Sequence, residues 1–297
     1  MAAVTPPRKR GAFCISIDLE LAWGYWDTPN PAMFAKGREL ERPIAARLLD
    51  LFERHEVSAT WAIVGRLLEK PRGKESLPGG EGIWYAPDII EKIAAAKAPQ
   101  DIGSHSYAHI YFSECGAAAA RADLEAARAI HARHSLPFSS FVFPRNQVGH
   151  LDELARAGIR IFRSTDLGWT QDVRSLNRTA GRAANLVDKI LPIPPRTVSI
   201  APRPDGMSEL PSSMILLRRN GLRRFISDAS LESKAGAGLR RAAELGEIFH
   251  LWFHPDNFYY RTDAQFEVLE NILSCATDLR RRGELSISSM AALAAEI

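Results

Sequence analysis

Three cysteines in 297 residues, Cys14, Cys115 and Cys275, are too few and too scattered to staple a small disulfide fold. They form no CxxC pair and suit a reducing compartment. No apolar run approaches the roughly 18 residues that a bilayer span requires. Neither sign of charge dominates: 38 basic against 35 acidic residues leave a net +3, too small a field to argue for nucleic acid. The N-terminal MAAVTPPRKRG carries charge without a following apolar h-region, so the expectation is no secretory signal and a cytoplasmic address. Also missing are a GxGxxG opening a helix, a GxxxxGKS/T loop and a GxSxG elbow, the signatures of dinucleotide, P-loop and serine-hydrolase sites. What remains is a chain of 46% hydrophobic and 25% charged residues, ordinary for a globular enzyme and unlike a disordered tail or a fibre.

Strand-like and helix-like patterns alternate almost from end to end. Phe13–Leu19, Ser58–Val64, Asp101–Ser104, Ser139–Pro144, Ile159–Arg163, Glu247–Phe253 and Leu285–Ile287 read as strands. Residues 40–55, 87–96, 117–134, 150–157, 237–245 and 263–282 read as helices, followed by a closing helix at the C-terminus. The five prolines between Leu191 and Pro204 mark loop and extended chain, and 170–235 carries the weakest pattern. Repeated β-then-α units imply a parallel sheet with right-handed crossovers. Seven or eight such units fit a (β/α) barrel better than an open sheet, with 1–297 as one domain and 1–11 as a flexible extension.

Four stretches could carry chemistry. Asp18 and Glu20 share one face of the first strand, at the end where such barrels place active sites; they serve equally as a helix cap or arginine partners. His105 and His109, four apart, are expected on a helical turn where both reach one ion. Ser106 stands where HExxH proteases keep their glutamate, which removes the zincin reading. Two histidines plus a carboxylate make a three-ligand site with open positions for water. Arg145, in Phe143-Pro144-Arg145-Asn146, could hold a buried carboxylate ionised or sit on the surface. His250, Trp252 and His254 share a strand face. His254, at the strand end, is the better placed general acid, since imidazole exchanges protons near neutral pH. The clusters Arg218-Arg219, Arg223-Arg224, Arg240-Arg241 and Arg280-Arg281-Arg282 are interleaved with acids. They read as solvated faces, at most a contact for an anionic carrier, and not as a nucleic-acid surface.

In this order, from residue 12 to 258, the motifs resemble the polysaccharide deacetylase family (NodB-homology, family 4 carbohydrate esterases). The resemblance implies a distorted barrel and removal of an N-acyl group from an amino sugar with a divalent metal. Asp18 matches the family's general base. The metal-binding aspartate that normally follows is Leu19 here, and relatives with an acid-x-acid spacing imply Glu20 in that role, with His105 and His109. Arg145 resembles the arginine that orients the base, His254 the histidine that protonates the leaving amine, and Asp166 and Trp169 the fourth motif. Trp23 and Trp169 are candidates to stack on the sugar. Zinc is the expected metal, with cobalt, nickel or iron suited to the same ligands. The expected substrate is an amino sugar of a surface-polysaccharide precursor. Two alternatives accompany the resemblance: a metal-independent cyclic amide or ureide hydrolase of the allantoinase kind, and a silent carbohydrate-binding barrel.

Overall fold

The computed structural model describes residues 10–70, 77–165 and 193–297. Within them lie ten strands: β1 (Gly11–Leu19), β2 (Thr60–Ile63), β3 (Asp101–Ser104), β4 (Ser140–Val142), β5 (Ile161–Ser164), β6 (Ala201–Pro202), β7 (Ser208–Pro211), β8 (Met214–Ile215), β9 (Ile248–Phe253) and β10 (Leu285–Ile287). The described helices are α1 (Pro31–His55), α2 (Pro87–Ala94), α3 (Ala117–Arg133), α4 (Leu151–Ala157), α5 (Asp228–Leu245), α6 (Thr262–Arg281) and α7 (Met290–Ala295).

The strands form one sheet in the order β6-β7-β5-β4-β3-β2-β1-β9-β8, with β10 beside the first residues of β1. All these pairings are parallel except β6 with β7, a departure from the all-parallel expectation. β7 and β8 are consecutive stretches of one extended segment. β7 lies along β5 and β8 along β9, so residues 208–215 join the two ends of the sheet and curl it into the expected distorted barrel.

The period-2 alternation of β1 sorts its side chains. Phe13, Ile15, Ile17 and Leu19 face the helices and pack with Leu48, Phe52, Leu239 and Leu269. Ala12 and Cys14 belong to a separate, inner cluster with Ala62, Val142, Ile161, Ile248 and, from α7, Met290 and Leu293. Further along the same inner face come Ser16 and Asp18, both buried. The inner face of β1 is therefore apolar where the strand begins and polar where it ends. Fully burying a Leu or Phe of the outer layer contributes about 1.5–3 kcal/mol, which is what holds the polar inner face in place.

Helix boundaries show what the sequence pattern carried. α2, α3, α4 and α6 lie where expected. α1 starts nine residues before the expected helix, because Asn30 caps it (Oδ1 accepts the Met33 N–H at 3.2 Å) and Pro31 occupies its first position. α5 also starts early, at Asp228, capped by Ser227; its buried stripe includes Ala235, Gly236 and Gly238, too small to register as an apolar period. At the N-terminus, β1 already includes Gly11, which shortens the expected extension; residues 1–9 lie outside the described residues. Among the described residues no helix is long and apolar enough to cross a membrane.

Candidate active site

The ends of β1, β3, β5 and β9 converge on one cluster. Glu20 Oε2 lies 2.9 Å from His109 Nε2 and 3.3 Å from His105 Nε2. The three ligand atoms fall within 4.8 Å of one another, and both imidazoles are buried. His105 follows β3 directly. His109 does not reach the cluster on a helical turn, as the sequence suggested: residues 105–110 form a loop, with positive φ at Ser106 (68°) and His109 (56°) that folds His109 back beside His105. The buried carboxylate of Asp123, from α3, clamps this loop by accepting the N–H of Tyr107 (2.8 Å) and Ala108 (2.9 Å).

The chemistry of the donors fits a cation. His105 Nδ1 faces the Val142 carbonyl at 2.8 Å, and a carbonyl can only accept, so Nδ1 carries the proton. In the neutral ring Nε2 then presents a lone pair towards the Glu20 oxygen. Burial pushes the Glu20 carboxyl up, yet the surrounding His254, His109 and His105 hold it well below its ordinary value. An imidazole lone pair and a carboxylate anion 3.3 Å apart repel unless a cation or a shared proton lies between them. Two imidazole nitrogens and one carboxylate are a donor set for a transition metal.

Asp18 stands behind this cluster, buried at the end of β1. Its partner is Arg163 on β5, through a fork of 2.7 Å to Oδ1 and 2.6 Å to Oδ2. The same guanidinium donates to Ser16 Oγ (3.0 Å) and Asn146 Oδ1 (2.9 Å) and lies over the Trp252 ring at 4.3 Å. Burial raises the Asp18 carboxyl, and the charges of Arg163, His105 and His254 outweigh it, leaving the group below its usual value. Ser16 Oγ also meets His250 Nε2 at 2.9 Å. His250 is fully buried on β9; burial, helped by the Arg163 charge, pushes it down to about 3, so it stays neutral.

Arg145 therefore does not take the role expected of it. It forks onto Asp27 (3.0 and 3.1 Å) and lies over the Tyr111 ring, whose hydroxyl also donates to Asp27 (2.7 Å). Tyr111 in turn packs edge-on to His109, so Arg145 buttresses that imidazole from the rim. The sequence reading does not single out Arg163, although its strand Ile159–Arg163 ends on it: an arginine on the same face as inward-facing Ile161 is the available signal.

His254 is where β9 was expected to place it, its Nε2 3.5 Å from Glu20 Oε1 and 3.7 Å from Asp18 Oδ2 and its ring partly open to solvent. Beyond it the wall holds two further buried acids. Asp256, near Glu20 and Asp18 and touching Arg218, is driven well above the usual carboxylate range by burial and by those two charges. Glu41, held by the Tyr259 hydroxyl, is pushed by burial up to about 7. Trp23 follows the site on a 3-10 turn. Its indole N–H donates to the Trp84 carbonyl (2.8 Å), and its ring meets the Trp84 edge and the Arg66 guanidinium, leaving less of it for a sugar than the sequence suggested. Asp166 and Trp169 lie outside the described residues.

Residues 33–165 match the family model for polysaccharide deacetylase. No curated protein matches the sequence. A candidate polysaccharide deacetylase from Mycobacterium smegmatis superposes with a TM-score of 0.67 at 16% identity, covering 99% of this chain and 92% of its own. The Puue allantoinase gives 0.65 at 14% identity over 98% and 91%. A probable polysaccharide deacetylase from Pseudomonas aeruginosa PAO1 gives 0.62 at 14% over 96% and 89%. At such identities these structures share the fold.

Proposed function

We propose that this chain hydrolyses the N-acyl group, acetyl or formyl, of an amino sugar in a polysaccharide or its precursor, with a divalent metal, zinc before cobalt, nickel or iron, held by Glu20, His105 and His109. The observation that carries the reading is the juxtaposition of that three-donor cluster with an anionic Asp18 and a solvent-facing His254. When bound, the ion supplies Lewis-acid chemistry to the acyl oxygen and the attacking water.

The chain's own groups move the protons. Asp18, held anionic by the Arg163 fork, accepts the proton that water releases as its oxygen bonds to the acyl carbon. His254, open on one side, donates a proton to the sugar nitrogen as the carbon–nitrogen bond breaks. The products are a free amine and the acyl group as its acid. His250, neutral and bonded on both ring nitrogens, fixes the geometry of Ser16 and Arg163 and takes no part in the transfer.

The test is acid release. Metal-loaded protein is incubated with N-acetylated and N-formylated amino sugars, and acetate or formate is measured. His254→Ala should lower turnover by about 10²–10⁴-fold with metal content unchanged. Equal loss of metal and turnover contradicts its assignment as acid. Hydrolysis of cyclic ureides by metal-free protein would instead establish the allantoinase-like alternative.

A further inference from the structure

Five large apolar side chains among the described residues stand well out in solvent. Three of them, Trp26 (48% exposed), Leu222 (76%) and Phe225 (71%), lie on loops that leave the C-terminal ends of β1 and β8, the barrel end that carries the carboxylates. Leu222 and Phe225 sit on a 3-10 turn, Gly221–Phe225, in which no residue is buried. Residues three apart eclipse one another on such a turn, so both project from the same side. Arg223 and Arg224, also exposed, stand between them, with the Arg224 guanidinium over the Phe225 ring at 4.8 Å.

This tip is held out by anchored neighbours. Leu217 and Ile226 on either side of it are buried, and Arg219 is buried against Asp228 at the start of α5. Arg261 takes the other oxygen of Asp228 at 3.2 Å, so that acid is already matched and does not neutralise the tip. The segment also forms part of the site wall: Arg218 donates to the Tyr25 hydroxyl at 2.5 Å and touches Asp256. Tyr25 directly precedes Trp26, which links the two exposed loops at one rim.

We propose that the 221–225 tip docks this face of the barrel on an anionic bilayer surface, with Leu222 and Phe225 entering the headgroup–acyl boundary and Arg223 and Arg224 meeting the lipid phosphates. Fixed apolar side chains with arginines between them match both layers of such a surface. An anionic polymer or nucleic acid would engage the arginines and leave Leu222 and Phe225 in water, where exposed apolar groups gain nothing. The docked face is the one into which the candidate active site opens.

Vesicle flotation tests this without any substrate and independently of the proposed reaction. The purified chain is mixed with vesicles of equal parts phosphatidylcholine and phosphatidylglycerol, and with phosphatidylcholine alone. The wild type should float with the anionic vesicles, and Leu222→Ser/Phe225→Ser should lower partitioning by about 100-fold, near tenfold for each apolar side chain withdrawn from the boundary. Arg223→Gln/Arg224→Gln should lower it by about 10-fold or more, through loss of two phosphate contacts. Both variants should keep the far-UV circular dichroism and the thermal midpoint of the wild type, which shows that they fold. Absence of flotation, or flotation undiminished in Leu222→Ser/Phe225→Ser, overturns the proposal. So does binding that inorganic phosphate or a soluble polyanion displaces equally in wild type and in that variant, since the tip would then be an anion site only.

Discussion

Each end of the barrel buries a carboxylate, and the two are matched to different kinds of partner. Asp101, at the start of β3, takes its bonds at one oxygen from neutral donors: Thr60 Oγ1 (2.9 Å), Ser140 Oγ (2.8 Å) and the Ala291 amide (3.2 Å). Burial lifts its carboxyl above the ordinary value, and those bonds only moderate the rise. Thr60 also accepts the Met290 N–H, so this cluster ties α7 into the floor of the barrel. Asp18, at the opposite end, is forked by Arg163, with His254 and His105 contributing further positive charge, and is held down. Neutral donors fasten the floor, whereas cationic partners at the mouth hold a carboxylate in its charged form, as the proposed proton transfer requires.

The largest expected effect separates these two acids. Asp18→Asn should lower turnover by about 10³-fold or more, since the proposed base is gone. Asp101→Asn should leave turnover of the folded protein unchanged and cost about 1–2 kcal/mol of stability in a denaturant titration, as an amide oxygen accepts the three bonds more weakly than a carboxylate and the amide N–H gains no acceptor. Comparable loss of turnover in both variants would erase the distinction between floor and mouth.

A smaller contrast sharpens the roles of the two arginines. Arg163→Met strands a buried carboxylate and should cost about 3–5 kcal/mol, whereas Arg145→Gln at the exposed rim should cost about 1 kcal/mol or less. The pH dependence has a definite sign. Asp18 is depressed in the folded state, so its contribution to stability is present above its unfolded value and lost as pH falls through the folded one. Without Arg163 the folded value rises, and the acid limb of kcat/KM should move to higher pH. An acid limb unmoved in Arg163→Met but displaced in Arg145→Gln would return the role to Arg145.

Much of this was legible in the sequence because it rests on period and order. The inward face of β1 follows from alternation, and Asp18, Glu20, His105, His109 and His254 all fall at strand ends on one side of a parallel sheet. Other features depend on contacts between segments far apart in the chain. The fork from Arg163 to Asp18 spans 145 residues, and no local pattern names the partner. The loop that folds His109 back needs two positive-φ residues and a clamp from Asp123 on α3, which the spacing HxxxH does not announce. β7 and β8 are too short to show alternation, yet they join the ends of the sheet. The starts of α1 and α5 were hidden where caps and small residues, rather than a large apolar stripe, define the first turns.

The proposed mechanism turns on Glu20 as the anionic metal ligand, in place of an aspartate at position 19. It is tested most directly by plasma mass spectrometry of purified protein beside Glu20→Ala and His105→Ala/His109→Ala, each dialysed against zinc and then against buffer. The wild type should hold about one tightly bound equivalent and both variants should lose it, as expected for a site of three protein ligands. Retention of metal by Glu20→Ala, or no metal in the wild type after reconstitution, would contradict it.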